Sequence, residues 1–264
     1  GNYNQFTITP FANTLLTDFA LELLNHEGVG KNNATDMLCI SYSTPDIAGH
    51  AFGPYSLEIE DIYARLDLEL AKLFNALDKQ VGKHNYVVFL TADHAVVPVP
   101  QQLKDEKLPG GYFDMSTCLT RINTQLRQKY GTDLIQSEEN QNIYLDYPLI
   151  DSLKLNRGVI QQDVATILRT FTEVKVAVTG SDLERGIIQD SWMQMILNGY
   201  SKERSGDVIF ILKPGFLAIS SNANAEHKGT SHGSAFNYDT HVPLLWYGNR
   251  MKAQEIFRPL EITD

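Results

Sequence analysis

At 264 residues the chain can bury a sizeable core, as one large α/β domain or two smaller ones. Its composition, 43% hydrophobic and 20% charged, is that of an ordinary globular protein, and no run approaches the ~18–20 apolar residues of a membrane helix. Lys and Arg number 22 against 32 Asp and Glu, a net charge of −10 with no basic stripe, which argues against a nucleic-acid-binding surface.

Taken in order, Thr9 to Asn25 reads as a helix with Thr9 as N-cap, Pro10 in the first turn and Gly28 and Gly30 beyond its end. Phe11, Leu15, Phe19 and Leu23 form its predicted packing face. Asp36 to Ser43 reads as a buried strand, which would make Cys39 a buried free thiol. Ser56 opens a long helix to about Gln80, closed by Gly82, with Ile59, Ile62, Leu66, Leu70, Leu73 and Leu77 at helical spacing. Tyr86 to Thr91 is nearly all apolar, β-branched or aromatic, the pattern of a strand buried on both faces. A β-α-β unit follows, with the strands at 36–43 and 86–91 parallel. Beyond Ala95 the pattern loosens: helices over 116–129, 158–170 and 190–198, strands over 142–146 and 173–179. Apolar strands return at 207–212 and 242–247. The fold class is α/β, a mostly parallel sheet flanked by helices, with a core of 1–95 and 206–264 and a smaller α+β insertion over 96–205.

Three segments beside apolar runs carry metal-ligand chemistry. Asp93-His94 follows the strand at 86–91, where open α/β sheets place ligand sites, and a carboxylate with an imidazole suits zinc better than calcium or magnesium. The plainer alternative is an Asp capping the next helix with a His paired to it. Asp46 and His50, four apart in Thr44-Pro-Asp-Ile-Ala-Gly-His50, can be aimed at one point by a single turn. His232 sits in the small-residue loop Gly229-Thr-Ser-His-Gly233. Each segment alone is weak evidence; the three together are a strong signal.

Phe-Leu-Thr-Ala-Asp-His (89–94), Ser-Thr-Pro-Asp-Ile-Ala-Gly-His (43–50), Tyr-Ala-Arg-Leu-Asp (63–67), Arg-Ser-Gly-Asp-Val (204–208) and Thr-Ser-His-Gly through Trp-Tyr-Gly (230–248) together resemble the alkaline phosphatase superfamily. The branch is that of type I phosphodiesterases and nucleotide pyrophosphatases, with its zinc phosphatases that use a threonine nucleophile. The resemblance implies two divalent metals, zinc above all: one held by Asp46, His50 and His232, the other by Asp93 and His94. It implies two-metal hydrolysis of phosphate monoesters through a covalent phospho-enzyme. The alternatives are a phosphodiesterase or nucleotide pyrophosphatase using the same metals, or a non-catalytic metal-binding domain. A small phosphate ester is the implied partner, in a periplasmic or secreted setting, with the oligomeric state left open.

The sequence departs from the family pattern in three places. Neither the family's first-strand Asp nor its Thr or Ser nucleophile has a counterpart, so the resemblance implies a fragment that is weak or inactive alone. Glu261-Ile-Thr-Asp264 resembles the start of a further family helix, and Ala95 stands where Gly is usual. Of the remaining candidates, His227 could line the substrate site, whereas His26 and His84 read as surface caps and His241 as a structural hydrogen bonder. Arg204 and Asp207 read as fixing a turn, and Tyr112, Phe113, Trp192 and Tyr200 as core before substrate platform.

Overall fold

The computed structural model describes residues 3–187, 191–219, 229–248 and 251–262. In chain order its elements begin with α1 (Tyr3–Phe6), α2 (Phe11–Glu27), α3 (Thr44–Phe52), α4 (Leu57–Gln80) and β1 (Val87–Thr91). Then come α5 (Pro100–Asp105), β2 (Gly111–Asp114), α6 (Met115–Tyr130), β3 (Ile135–Glu139), β4 (Asn142–Leu145), α7 (Tyr147–Ser152) and α8 (Arg157–Leu168). The rest are β5 (Val174–Thr179), α9 (Gly180–Glu184), α10 (Ser191–Gly199), β6 (Val208–Leu212), β7 (Phe216–Ile219), α11 (Asn237–Thr240) and β8 (Leu244–Gly248). The chain divides into two compact units, one of residues 1–96, 228–231 and 241–264, the other of 97–227 and 232–240.

In the first unit α4 forms as its sequence signals require. Ser56 is extended and its hydroxyl accepts the Ile59 amide at 3.3 Å, satisfying one of the helix's unpaired donors. Ile59, Ile62 and Leu73 turn inward. Helix α2 departs from expectation at its cap and at its face. Pro10 occupies the N-cap position without a side-chain bond, and the Thr9 hydroxyl donates instead to the Phe6 carbonyl at 2.7 Å. The buried side of α2 is Asn13, Thr17, Ala20 and Leu24, while Phe11, Leu15 and Phe19 are 61%, 60% and 65% exposed. The reason lies in α4: Thr14 donates to Glu69 at 2.7 Å, Lys72 pairs with Asp18, and Gln80 donates to the Leu24 carbonyl. These polar ties set the rotation of α2 against α4.

Residues 36–43, predicted as a buried strand, form no ladder among the described residues; Met37 and Cys39 are exposed. Strand β1 pairs with β8 and runs antiparallel to it, Phe89 opposite Trp246 and Leu90 opposite Leu245. The expected parallel pairing of 36–43 with β1 is therefore not found among the described residues. Nor is β1 buried on both faces, for Val87 and Phe89 are exposed. An apolar run marks a surface able to be buried; which neighbour buries it is a matter of chain path.

The second unit holds a four-stranded antiparallel sheet in the order β3-β4-β6-β5 and a parallel pair, β2 with β7. The strand at 208–212, expected with the first segment, pairs here with β4 and β5. Its Val-Ile-Phe-Ile-Leu pattern suits the middle of any sheet covered on both faces, so the sequence alone does not choose between them. Helices α6 and α8 close over that sheet, bringing Ile122, Leu126, Ile160, Val164 and Leu168 against Ile143 and Phe210. Phe113 joins this core, with its ring 5.4 Å from Phe171 and 5.9 Å from Phe210. Asp207 ties strand to turn, accepting the Leu145 amide at 2.8 Å and the Tyr147 hydroxyl. Burial and that carboxylate together push the Tyr147 hydroxyl up to about 12.

The two cysteines differ sharply. Cys118 lies in the core of the second unit, and burial pushes its thiol up to about 12, whereas Cys39, expected inside a strand, is exposed. Since the thiolate is the reacting form, a soluble disulfide reagent at pH 8 is expected to label one thiol per folded chain rapidly. The second should appear only when denaturant is added; two fast equivalents would contradict the burial of Cys118.

Candidate metal centre

Helix α3 is short and built to present its ends. Pro45 sits in its first turn, where a missing amide hydrogen costs nothing, and Asp46 follows there, favoured by the positive end of the helix. His50 comes one turn later on the same face, so that Nε2 stands 3.4 Å from Asp46 Oδ1. Strand β1 ends at Thr91 and delivers Asp93 and His94 just beyond it. His94 Nε2 lies 3.9 Å from Asp46 Oδ1 and 3.9 Å from Asp93 Oδ1. Asp93 itself is open, its side chain 91% exposed. The capping alternative does not apply to this pair, since no helix begins at Asp93.

Each histidine is held by its other nitrogen. His50 Nδ1 is 2.9 Å from the Thr230 carbonyl oxygen, and His94 Nδ1 is 3.0 Å from the Ala95 carbonyl oxygen. A carbonyl can only accept, so in each bond the proton sits on Nδ1 and Nε2 of the neutral ring is the lone-pair nitrogen. Both lone pairs are turned to the oxygen of one carboxylate. Acceptor facing acceptor is repulsive unless a cation or an extra proton lies between.

The spacing suits a cation. With metal–ligand bonds of about 2.1 Å, two ligand atoms on a tetrahedral ion stand roughly 3.4 Å apart. The Asp46–His50 separation of 3.4 Å meets that value, and the 3.9 Å separations at His94 are slightly wider. Asp46, His50, Asp93 and His94 lie in the first compact unit, and His232 lies in the second. The residues present therefore fit a divalent metal by donor type and by separation. His227 lies outside the described residues.

Sequence reasoning missed Thr230 and Gly229, because their parts are played by backbone. The Thr230 amide donates to the Gly49 carbonyl at 3.4 Å while its carbonyl takes the His50 proton. The small-residue composition of Gly229-Thr-Ser-His-Gly233 was the available signal. The aromatic candidates are engaged elsewhere: Phe113 in the core, Trp192 against Phe236 with centroids 4.8 Å apart, and Tyr200 on Glu184 at 3.2 Å. His26 is a surface residue bonded to Glu22 at 3.1 Å.

Residues 4–235 match the family described as type I phosphodiesterase / nucleotide pyrophosphatase. The chain belongs to this family. Among curated relatives, alkaline phosphatase PafA of Elizabethkingia meningoseptica is 36% identical over 97% of this chain and 46% of its own length. Alkaline phosphatase PhoV of Synechococcus elongatus is 34% identical over 100% and 46%, and a protein of Myroides odoratus named calcium-transporting ATPase is 34% identical over 100% and 48%. A crystal structure of PafA superposes with a TM-score of 0.89 at 36% identity, covering 98% of this chain and 48% of that one. The fold is thus that of the alkaline phosphatases, a mixed α/β architecture. The chain spans about half the length of the curated relatives it matches.

Proposed function

We propose that this chain carries metal-binding machinery of a zinc-dependent phosphoric ester hydrolase acting on phosphate monoesters. The observation that carries the reading is the convergence of His50 Nε2 and His94 Nε2 on Asp46 Oδ1, at 3.4 and 3.9 Å. On this reading Asp46, His50 and His232 hold one metal, while Asp93 and His94 contribute to a second. Bound there, the ions would lower the pKa of an attacking hydroxyl or water and neutralise phosphoryl oxygens. The protein's own share is orientation: α3 fixes the Asp46–His50 spacing, and backbone carbonyls fix the ring tautomers. In an acidic chain, a small anionic ester depends on those ions to reverse the local field.

Monoester specificity is supported by the names of PafA and PhoV, and diester cleavage by the description of the family. On this reading either substrate class would draw on the same metals. The setting we infer is the periplasm or the exterior, as part of this proposal.

The test begins with metal content by mass spectrometry on the chain purified without chelator. Hydrolysis of p-nitrophenyl phosphate and bis-p-nitrophenyl phosphate is then followed after zinc addition. About one zinc per chain is expected, lost in an Asp46→Ala/His232→Ala double variant. Turnover by this chain alone should be negligible, because the second metal position draws only on Asp93 and His94 and no residue is assigned as nucleophile. Turnover near ~1 s⁻¹, ordinary for an enzyme, would overturn that part of the reading. Retention of zinc by the double variant would overturn the ligand set.

A further inference from the structure

The backbone at 229–230 lies unusually close to the end of α3. A β-carbon placed on Gly229 would fall 1.7 Å from the His50 carbonyl oxygen and 2.6 Å from its carbonyl carbon. Real β-carbons do not approach other atoms below about 3 Å. What it would meet is backbone of a helix turn and not the end of a flexible side chain, so neither partner can yield locally. One residue on, the Thr230 backbone bonds to the same helix turn: its amide to the Gly49 carbonyl at 3.4 Å and its carbonyl to His50 Nδ1 at 2.9 Å. Space alone is enough to forbid a side chain at this position.

We propose that Gly229 is a positioning residue for His50. Its missing side chain lets the 229–230 backbone lie flush on the last turn of α3, so that the Thr230 carbonyl holds the Nδ1 proton and Nε2 is presented to Asp46. The inference rests on the proposed ligand role of His50 and deepens it. It assigns the ordering of that ligand to a backbone clasp that is formed before any metal arrives. Partners that orient a metal-bound histidine commonly matter by 10–100-fold in metal affinity. A backbone carbonyl is the one partner that cannot be removed by changing its own side chain. The vulnerable position is therefore the neighbouring glycine.

Two measurements decide it. Long-range ¹⁵N–¹H NMR on the metal-free native chain at pH 8 should show His50 as the Nδ1–H tautomer; an Nε2–H ring would overturn the proposal. In Gly229→Ala, with folding checked by circular dichroism, the tautomer preference should be lost. Zinc affinity, read by competition with a chromogenic chelator, should fall by about 10–100-fold. Affinity within twofold of native together with an unchanged tautomer would overturn it. Should Gly229→Ala fail to fold, the native tautomer still decides. A His50→Ala control separates the two readings: unchanged zinc binding there sinks the ligand assignment, whereas a wrong tautomer in the native chain sinks the positioning role alone.

Discussion

Replacing Asp46 by alanine is expected to lower zinc affinity by roughly two to three orders of magnitude. Structural zinc sites bind with about 10–16 kcal/mol shared over four ligands, or roughly 2.5–4 kcal/mol for each, and every ~1.4 kcal/mol is tenfold. Asp46 should lie at the upper end, since its Oδ1 faces Nε2 of both His50 and His94. Its removal also takes away the one carboxylate oxygen that both nitrogens face. The check is competition against a chelator of known affinity, with Asp93→Ala as comparison. Asp93 is open to solvent and stands 3.9 Å from His94, so its loss should be smaller. Equal effects of the two substitutions would show that Asp46 is not the shared ligand, and no effect of Asp46→Ala would remove the site altogether.

Replacing Phe210 by alanine is expected to cost the second unit about 3–5 kcal/mol, the range for deleting a buried aromatic ring. Phe210 is 1% exposed, sits on β6 between β4 and β5, and meets Phe113 across the core. Domains are stable by only about 5–15 kcal/mol, so the urea midpoint should fall steeply and the variant could be partly unfolded at 37 °C. Leu245→Ala gives the contrast. Leu245 is also an apolar strand residue in the sequence, yet it is 61% exposed. Its loss should stay near or below about 0.5 kcal/mol. A loss under about 1 kcal/mol for Phe210→Ala would mean that β6 is not the centre of that core.

The contrast between Phe210 and Leu245 marks where sequence reading stops. Both lie in runs that look buried, Val208-Ile-Phe-Ile-Leu and Leu244-Leu-Trp-Tyr, and nothing local separates them. Helices fared better. Ser56 and Gly82 bound α4 because a hydroxyl can satisfy an unpaired amide and a glycine can take φ +93, both properties of residues within one turn of the helix end. Helices α6 and α8 and strands β4 and β5 were likewise legible within a residue or two. The rotation of α2 was not: its apolar stripe pointed one way, and bonds from Glu69, Lys72 and Gln80, more than 50 positions along the chain, turned it another.

At the candidate site, the sequence by itself determined the residue types and one spacing. Asp46 and His50 are four apart, so any helix places them together, and Asp93-His94 are adjacent at a strand end under any tertiary fold. Only the tertiary structure decided that these two pairs meet, that β1 runs antiparallel to β8, and which nitrogen of His50 is turned to Asp46. The last of these rests on a backbone carbonyl 180 residues away. Side-chain chemistry is written in the sequence, but a carbonyl oxygen is common to every residue, and only the path of the chain selects the one that serves.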